Sequence, residues 1–188
     1  MPTYGAEMAI IKSGKVLLIK RRDFEVWALP GGAIDAGESA AEAAVREARE
    51  ETGLDVELLH MVGVYSRPAW SEGGDHDLLF AARPIGGTLI STSDETLDAD
   101  FFAPDALPKP LIYWYRQRII DALSGARGIA RRQHTPWPFA DDFTLGDLRR
   151  QLAAGELELE DIAHYFRARE SDEGTLETHP PDEASDRP

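Results

Sequence analysis

The 188-residue chain has no cysteine. Disulfides, thiol nucleophiles, iron–sulfur clusters and thiolate-bound zinc are thereby excluded together. No apolar run approaches the roughly 20 residues that span a bilayer. The opening stretch, MPTYGAEMAIIKSGK, lacks the basic flank and apolar core of a secretory signal. A soluble, cytoplasmic protein is the expectation. Basic residues are scarce: 20 Lys plus Arg stand against 34 Asp plus Glu, a formal net charge of −14. Such a surface repels anionic membranes and nucleic-acid polymers, whose binding needs many Lys or Arg contacts to phosphate. A small phosphorylated substrate stays compatible, because a metal ion can neutralise it locally.

The length suits one domain with an appendage, and 43% hydrophobic content is enough for a sizeable core. Glu7–Ile11 and Lys15–Lys20 are apolar, β-branched runs around Ser13-Gly14, which predicts a hairpin. LPGGAIDAGE (29–38) reads as a loop. A helix should follow, with Ser39 as N-cap, Glu42 closing a capping box and Gly53 as the left-handed stop. Its apolar stripe is Ala41, Ala44, Val45 and Ala48, small residues that predict close packing. Val56–Ser66, Leu78–Ala82 and Gly87–Ser91 are strand candidates, and Leu111–Leu123 has helical spacing. This order gives an α/β domain over residues 1–125. Residues 126–140 read as loop, and 144–154 and 158–169 as two helices of an appendage spanning 126–169. The stretch 170–188, with seven acids, one Arg and three prolines, is expected to be a disordered tail.

Residues 32–54 hold the chemistry. Glu47, Glu50 and Glu51 stand at i, i+3 and i+4, so their carboxylates share one helix face. Crowded carboxylates raise one another's pKa unless a positive charge sits among them. A hard dication such as Mg²⁺ or Mn²⁺ suits an all-oxygen set. Arg46 can pair with Glu42 or Glu50, and Glu38 lies close enough to join them. A solvated charged face would be the plain alternative. Against it stand the clustering of acids, the absence of Lys from this helix and the glycine-rich loop that leads into it.

The segment resembles the Nudix box: Gly, five residues, Glu, seven residues, Arg-Glu, an apolar residue, any residue, Glu-Glu, any residue, Gly, an apolar residue. Gly32, Glu38, Arg46, Glu47, Ala48, Glu50, Glu51, Gly53 and Leu54 fill every position, with Ala48 small for its slot. The preceding WALPGG is also similar to the family. The resemblance implies a Nudix α/β/α sandwich with a mixed β-sheet, extended here by a C-terminal helical appendage. It implies metal-dependent hydrolysis of a pyrophosphate linked to a nucleoside. Gly32, Glu47, Glu50 and Glu51 would be the metal ligands, and Glu47 or Glu50 the base, with Arg46 beside them. Glu95 sits where some family members place a loop carboxylate; a plain acidic turn is its other reading. Arg21 and Arg22 are candidate phosphate contacts or solvated strand-end residues. Trp27 is expected to pack and His76 to be a loop residue.

Pro68, fifteen residues beyond Gly53, matches a pattern of ADP-ribose pyrophosphatases and leans the substrate towards ADP-ribose, giving AMP and ribose 5-phosphate. A MutT-like triphosphate pyrophosphohydrolase is the alternative. A nucleotide-sensing regulator that reads DNA through the appendage is another. It is disfavoured because seven Arg balance seven acids there and the box is complete. The appendage is expected to cap the pocket or to form a homodimer contact.

Overall fold

The computed structural model describes residues 2–140, 142–167 and 174–178. Apolar residues on alternating sides of one strand set the architecture. β1 (Thr3–Lys12) sends Ala9 to one face of the sheet and Ala6, Met8 and Ile10 to the other. It forms a hairpin with β2 (Lys15–Arg21) through Ser13 and Gly14, both at positive φ, as a tight hairpin turn of native twist requires. β1 also pairs parallel with β6 (Asp75–Gly87) and antiparallel with β4 (Gly31–Ala33). β5 (Leu54–Arg67) runs antiparallel to β6 and parallel to β8 (Ile129–Arg132). β2 carries β3 (Trp27–Ala28) on one side and β7 (Thr96–Phe102) on the other. The sheet is therefore mixed.

α1 (Ala40–Thr52) has the expected ends. Ser39 and Glu42 form the reciprocal capping box, and Gly53 sits at φ 71°. Ala43, Ala44 and Ala48 bury against Ala6, Met8, Ile10, Leu54 and Ala82 on one sheet face. Ala41, expected in that stripe, is only half-buried, and Ala43 takes its place. The opposite face is covered by α2 (Tyr115–Leu123) and by the appendage helices α3 (Leu145–Ala154) and α4 (Leu159–Arg167). Leu148, Ile162 and Phe166 join the same core as Val62, Tyr65, Leu79 and Ile119. Phe166 stacks on Phe24 at 4.5 Å between ring centroids. This is an α/β/α sandwich in which the appendage completes one outer layer.

Several sequence expectations need correction. Gly87–Ser91 is not a strand, and the strand lies later, in TLDADFF. There Thr96 and Ala99 are buried and Asp98 is exposed, so acids on the outer positions hid the pattern. β8 falls inside a stretch read as loop; it is four residues long and needs β5 as its partner. β5 and β6 extend into the polar segment between them, which brings Arg67, Asp75 and His76 into strands. The helix read from Leu111 begins at Tyr115. Residues 174–178 are not free tail: β9 (Thr175–Leu176) pairs with β8, where the open edge offers unpaired backbone groups. The rest of the expected tail (170–173 and 179–188) and residues 168–169 of the second appendage helix lie outside the described residues.

Glu7, Arg67, Asp75, Asp77 and Arg118 form one buried charged network. Arg118 on α2 is 0% exposed. It donates to Glu7 of β1 and Asp77 of β6, each at 2.7 Å, and twice to Gln133 at 3.0 and 2.7 Å. Tyr115 donates to the other Glu7 oxygen at 2.8 Å. Arg67 donates to Asp75 and Asp77 alongside. Burial pushes Glu7 up to about 7 although Arg118 opposes it. Burial also acts to raise Asp77, but the Arg118 and Arg67 guanidiniums outweigh it and hold that carboxyl low. Removing one member of such a cluster leaves an uncompensated buried charge. Arg118→Leu should therefore cost about 3–5 kcal/mol of stability, read as a lower urea midpoint. An unchanged midpoint would show that Glu7 and Asp77 do not need this cation.

Candidate active site

β4, between β3 and α1, brings backbone against the glutamate-bearing helix. Gly31 has φ 151°, and a side chain there would collide with β1 at Ala6 and Glu7. A Cβ on Gly32 would collide with the carboxylate of Glu47. Gly31 needs glycine because β1 backbone lies against it, whereas a side chain at Gly32 would displace the Glu47 carboxylate. Glu51, 5% exposed, accepts a hydrogen bond from Gly31 N–H at 2.8 Å. Burial raises its pKa to about 8, against the opposing pull of the Gly31 bond and the Arg21 charge.

Arg46 organises the remaining acids. It makes a two-point contact with Glu38 at 2.7 and 3.0 Å, and reaches Glu47 at 2.8 Å, Glu50 at 3.2 Å and the Ala33 carbonyl at 3.2 Å. These bonds hold the Glu38 carboxyl below its usual range. The side chain of Glu50 is 61% exposed and that of Glu47 only 14%. The helix face thus splits. Glu47 and Glu51 turn inward against the glycine turn, while Glu50 faces solvent. Glu42 does not pair with Arg46, because the capping box already uses its carboxylate.

Among the described residues, no three Asp, Glu or His side chains converge as a metal cage. Arg46 is the reason, since it holds one oxygen each of Glu47 and Glu50. The donors still suit a hard dication. Glu51 is a buried carboxylate whose one hydrogen-bond donor among the described residues is a backbone N–H. A nearby cation would relieve the burial that keeps it protonated. The second oxygens of Glu47 and Glu50 are not taken by Arg46, and an oxygen-only set fits Mg²⁺ or Mn²⁺.

Two clefts meet beside this turn. The first, of about 320 Å³, is bordered by Gly31, Gly32, Glu7, Trp114 and Tyr115, with Leu145, Arg149 and Phe166 from the appendage. The second, of about 340 Å³, gathers Arg21, Arg22, Asp23, Asp94, Glu95 and Arg149. Arg21, Arg22 and Glu95, which are far apart in sequence, therefore share one cleft. Arg21 grips Asp23 at 2.9 and 2.6 Å, and Arg22 donates to the carbonyls of Ser93 and Asp94. Trp27 packs edge-on against Phe102 and is buried. His76 belongs to β6, bonded to Ser66 and stacked on Tyr4, not to a loop. The sequence reading missed Glu7, Arg67, Asp77, Tyr115 and Arg149 at these clefts. A charged residue inside an apolar run, such as Glu7 in EMAII, was the available signal.

The raised Glu51 predicts a pH trend in metal-free protein. Its carboxyl binds its proton more tightly folded than unfolded, so its contribution is complete below about 4.5 and is lost as pH rises towards about 8. Glu51→Gln should flatten that decline. Urea unfolding in a chelator at about pH 5 and about pH 9 reads it. Parallel pH curves for both proteins would contradict the assignment.

The comparisons agree with this geometry. The NUDIX domain family model matches residues 2–123. A Bacillus subtilis protein named for 8-oxo-dGTP diphosphatase activity is 38% identical over 130 residues, covering 69% of this chain and 85% of that protein. A Methanocaldococcus jannaschii ADP-ribose pyrophosphatase is 39% identical over 112 residues, 57% of this chain and 66% of that one. The crystal structure of a Streptococcus suis ADP-ribose pyrophosphatase superposes with TM-score 0.59 at 28% identity, covering 70% of this chain and 99% of that chain. Sheet topology, the capped glutamate helix and the family match all agree, and the chain belongs to the NUDIX domain family as a Nudix hydrolase.

Proposed function

We propose that the protein hydrolyses the pyrophosphate bridge of a nucleoside diphosphate joined to a second moiety, with ADP-ribose as substrate and AMP and ribose 5-phosphate as products. One observation carries this reading: two clefts of similar size meet at Arg21, next to the turn that Glu51 and Glu47 support. A substrate with a group at each end of a diphosphate matches that plan. The aromatic side of the first cleft, Trp114 and Tyr115, suits a nucleoside. The acids and arginines of the second suit a hydroxylated sugar phosphate. The ADP-ribose pyrophosphatase names of two similar proteins support the same substrate.

Nudix hydrolases generally use a divalent metal. Here Gly32, Glu47, Glu50 and Glu51 would hold Mg²⁺ or Mn²⁺, which supplies charge neutralisation and a more acidic water. The chain's own residues do the rest. Arg21 offsets phosphate charge at the junction of the clefts. Glu47, held by Arg46 and pressed against Gly32, takes the proton of the attacking water. A new P–O bond forms from that water, and the bridging P–O bond breaks, leaving its electron pair on the departing phosphate. Arg46 fixes Glu47 and does not itself meet the substrate.

A triphosphate reading is favoured by the name of the Bacillus subtilis relative and by a MutT-like Streptomyces ambofaciens protein 34% identical over 121 residues. The charge balance of the appendage favours neither DNA nor RNA as a partner. No helix among the described residues is long and apolar enough to cross a membrane.

The test is a screen of purified protein with Mg²⁺ or Mn²⁺. ADP-ribose, other nucleoside diphosphate sugars, dinucleoside polyphosphates and normal and oxidised triphosphates would be compared, with products resolved by chromatography. Preference for ADP-ribose with release of AMP is expected, and preference for triphosphates would overturn the substrate. Glu47→Gln and Glu51→Gln should each lower kcat by about a hundredfold or more. Near-normal turnover in either would remove that carboxylate from the machinery.

A further inference from the structure

Arg149 lies on α3, outside the segment that matches the family model. Its position is fixed from below. Thr144 and Asp147 cap the start of α3 with reciprocal bonds, and the neighbouring Leu148 is fully buried in the main core. The side chain then reaches across to the turn after β2, with 46% of its surface exposed. There Nε donates to an Asp23 oxygen at 3.2 Å. Arg21 already holds that carboxylate at both oxygens. The Asp23 carboxylate therefore faces two guanidiniums, with Asp94 and Glu95 lining the same cleft. Burial and the Arg21 charge push Arg149 below its ordinary pKa, against the opposing pull of Asp23 and Glu95. Its two terminal nitrogens make no hydrogen bond among the described residues. Arg149 and Arg21 are also the residues shared by both clefts.

A clip between appendage and main domain is a weak account of this contact. Exposed ion pairs contribute little to stability, and the appendage is already anchored by Leu148, Ile162 and Phe166. A guanidinium with open donors at the meeting point of two clefts suits an anion better.

We propose that Arg149 is a substrate-binding residue, closing with Arg21 around the diphosphate bridge, so that the helical appendage forms part of the site that selects the substrate. This rests on the reading of the clefts given above. The second guanidinium favours a compact diphosphate at the junction, and its donors match phosphate oxygens in pairs.

The test compares two probes by calorimetry in the presence of Mg²⁺: methylene-bridged ADP-ribose, which cannot be hydrolysed, and adenosine, which has no phosphate. Arg149→Ala should weaken the bridged analogue about ten- to a hundredfold and adenosine by less than about twofold. Arg149→Lys should recover part of the loss, because it restores the charge without the fork. Arg150→Ala on the same helix removes the same charge from a residue that neither cleft includes, and should bind like the wild type. Equal affinity of Arg149→Ala and wild type for the analogue would overturn the proposal. So would an equal loss for adenosine, or failure of the wild type to bind the analogue. ADP-ribose turnover by the wild type is measured alongside. Arg149-dependent binding without hydrolysis sinks the hydrolase reading alone, and hydrolysis with an indifferent Arg149→Ala sinks this inference alone.

Discussion

Arg118 is the charge around which this structure is assembled. Its guanidinium joins α2 to the two central strands through Glu7 and Asp77, and to the stretch after β8 through Gln133. Gln133 in turn donates to the Trp114 carbonyl, which fixes the segment entering α2. Buried charges tolerate little displacement, because each lost partner exposes a neighbour to the low dielectric. The floor of the first cleft, made by Glu7, Asp77 and Tyr115, is held by that constraint. Arg67 extends it, bonded to Asp75 and sandwiched at 4.8 and 4.3 Å from the Trp70 and Trp114 rings.

The same logic operates with opposite exposure on α1. Arg46 gathers Glu38, Glu47 and Glu50, yet these groups remain partly open to solvent and can exchange partners at modest cost. Glu51 stands apart because it is buried and meets only a backbone donor. The helix therefore offers one carboxylate under electrostatic stress and others kept in reserve by an arginine. That combination suits a site that must admit positive charge and then a polyanionic substrate. Glycine at 31 leaves room for the β1 backbone, and glycine at 32 leaves room for the Glu47 carboxylate.

The appendage changes the meaning of the family core. Its aromatic residues do not form a separate unit. Phe166 packs on Phe24 and Trp70, and Trp137 packs on Trp70 at 4.8 Å. The helices consequently sit over the cleft mouth and place Leu145, Arg149 and Phe166 on its rim. That placement follows from the apolar burial of Leu148, Ile162 and Phe166 in the main core.

The sequence by itself determined α1, its caps, the β1–β2 hairpin and the identity of the carboxylate set. These depend on local rules: a serine accepting from the third residue on, glycine at positive φ, and fixed spacing along one helix. Arg21 and Arg22 are candidates from their place at a strand end and Glu95 from family context, and only folding brings them to one cleft. Tertiary structure alone decided which carboxylates turn inward. Glu47, Glu50 and Glu51 look equivalent in sequence, but β1 and β4 cover one side of the helix, and Glu50 lies on the side left open. It also decided that Glu7 and Arg118, 111 residues apart, form a buried pair, and that Arg149 returns to Asp23 across 126 residues. β7 and β8 were illegible for a related reason. Short strands with acidic or basic outer positions have no local signal strong enough to stand without the neighbour they pair with.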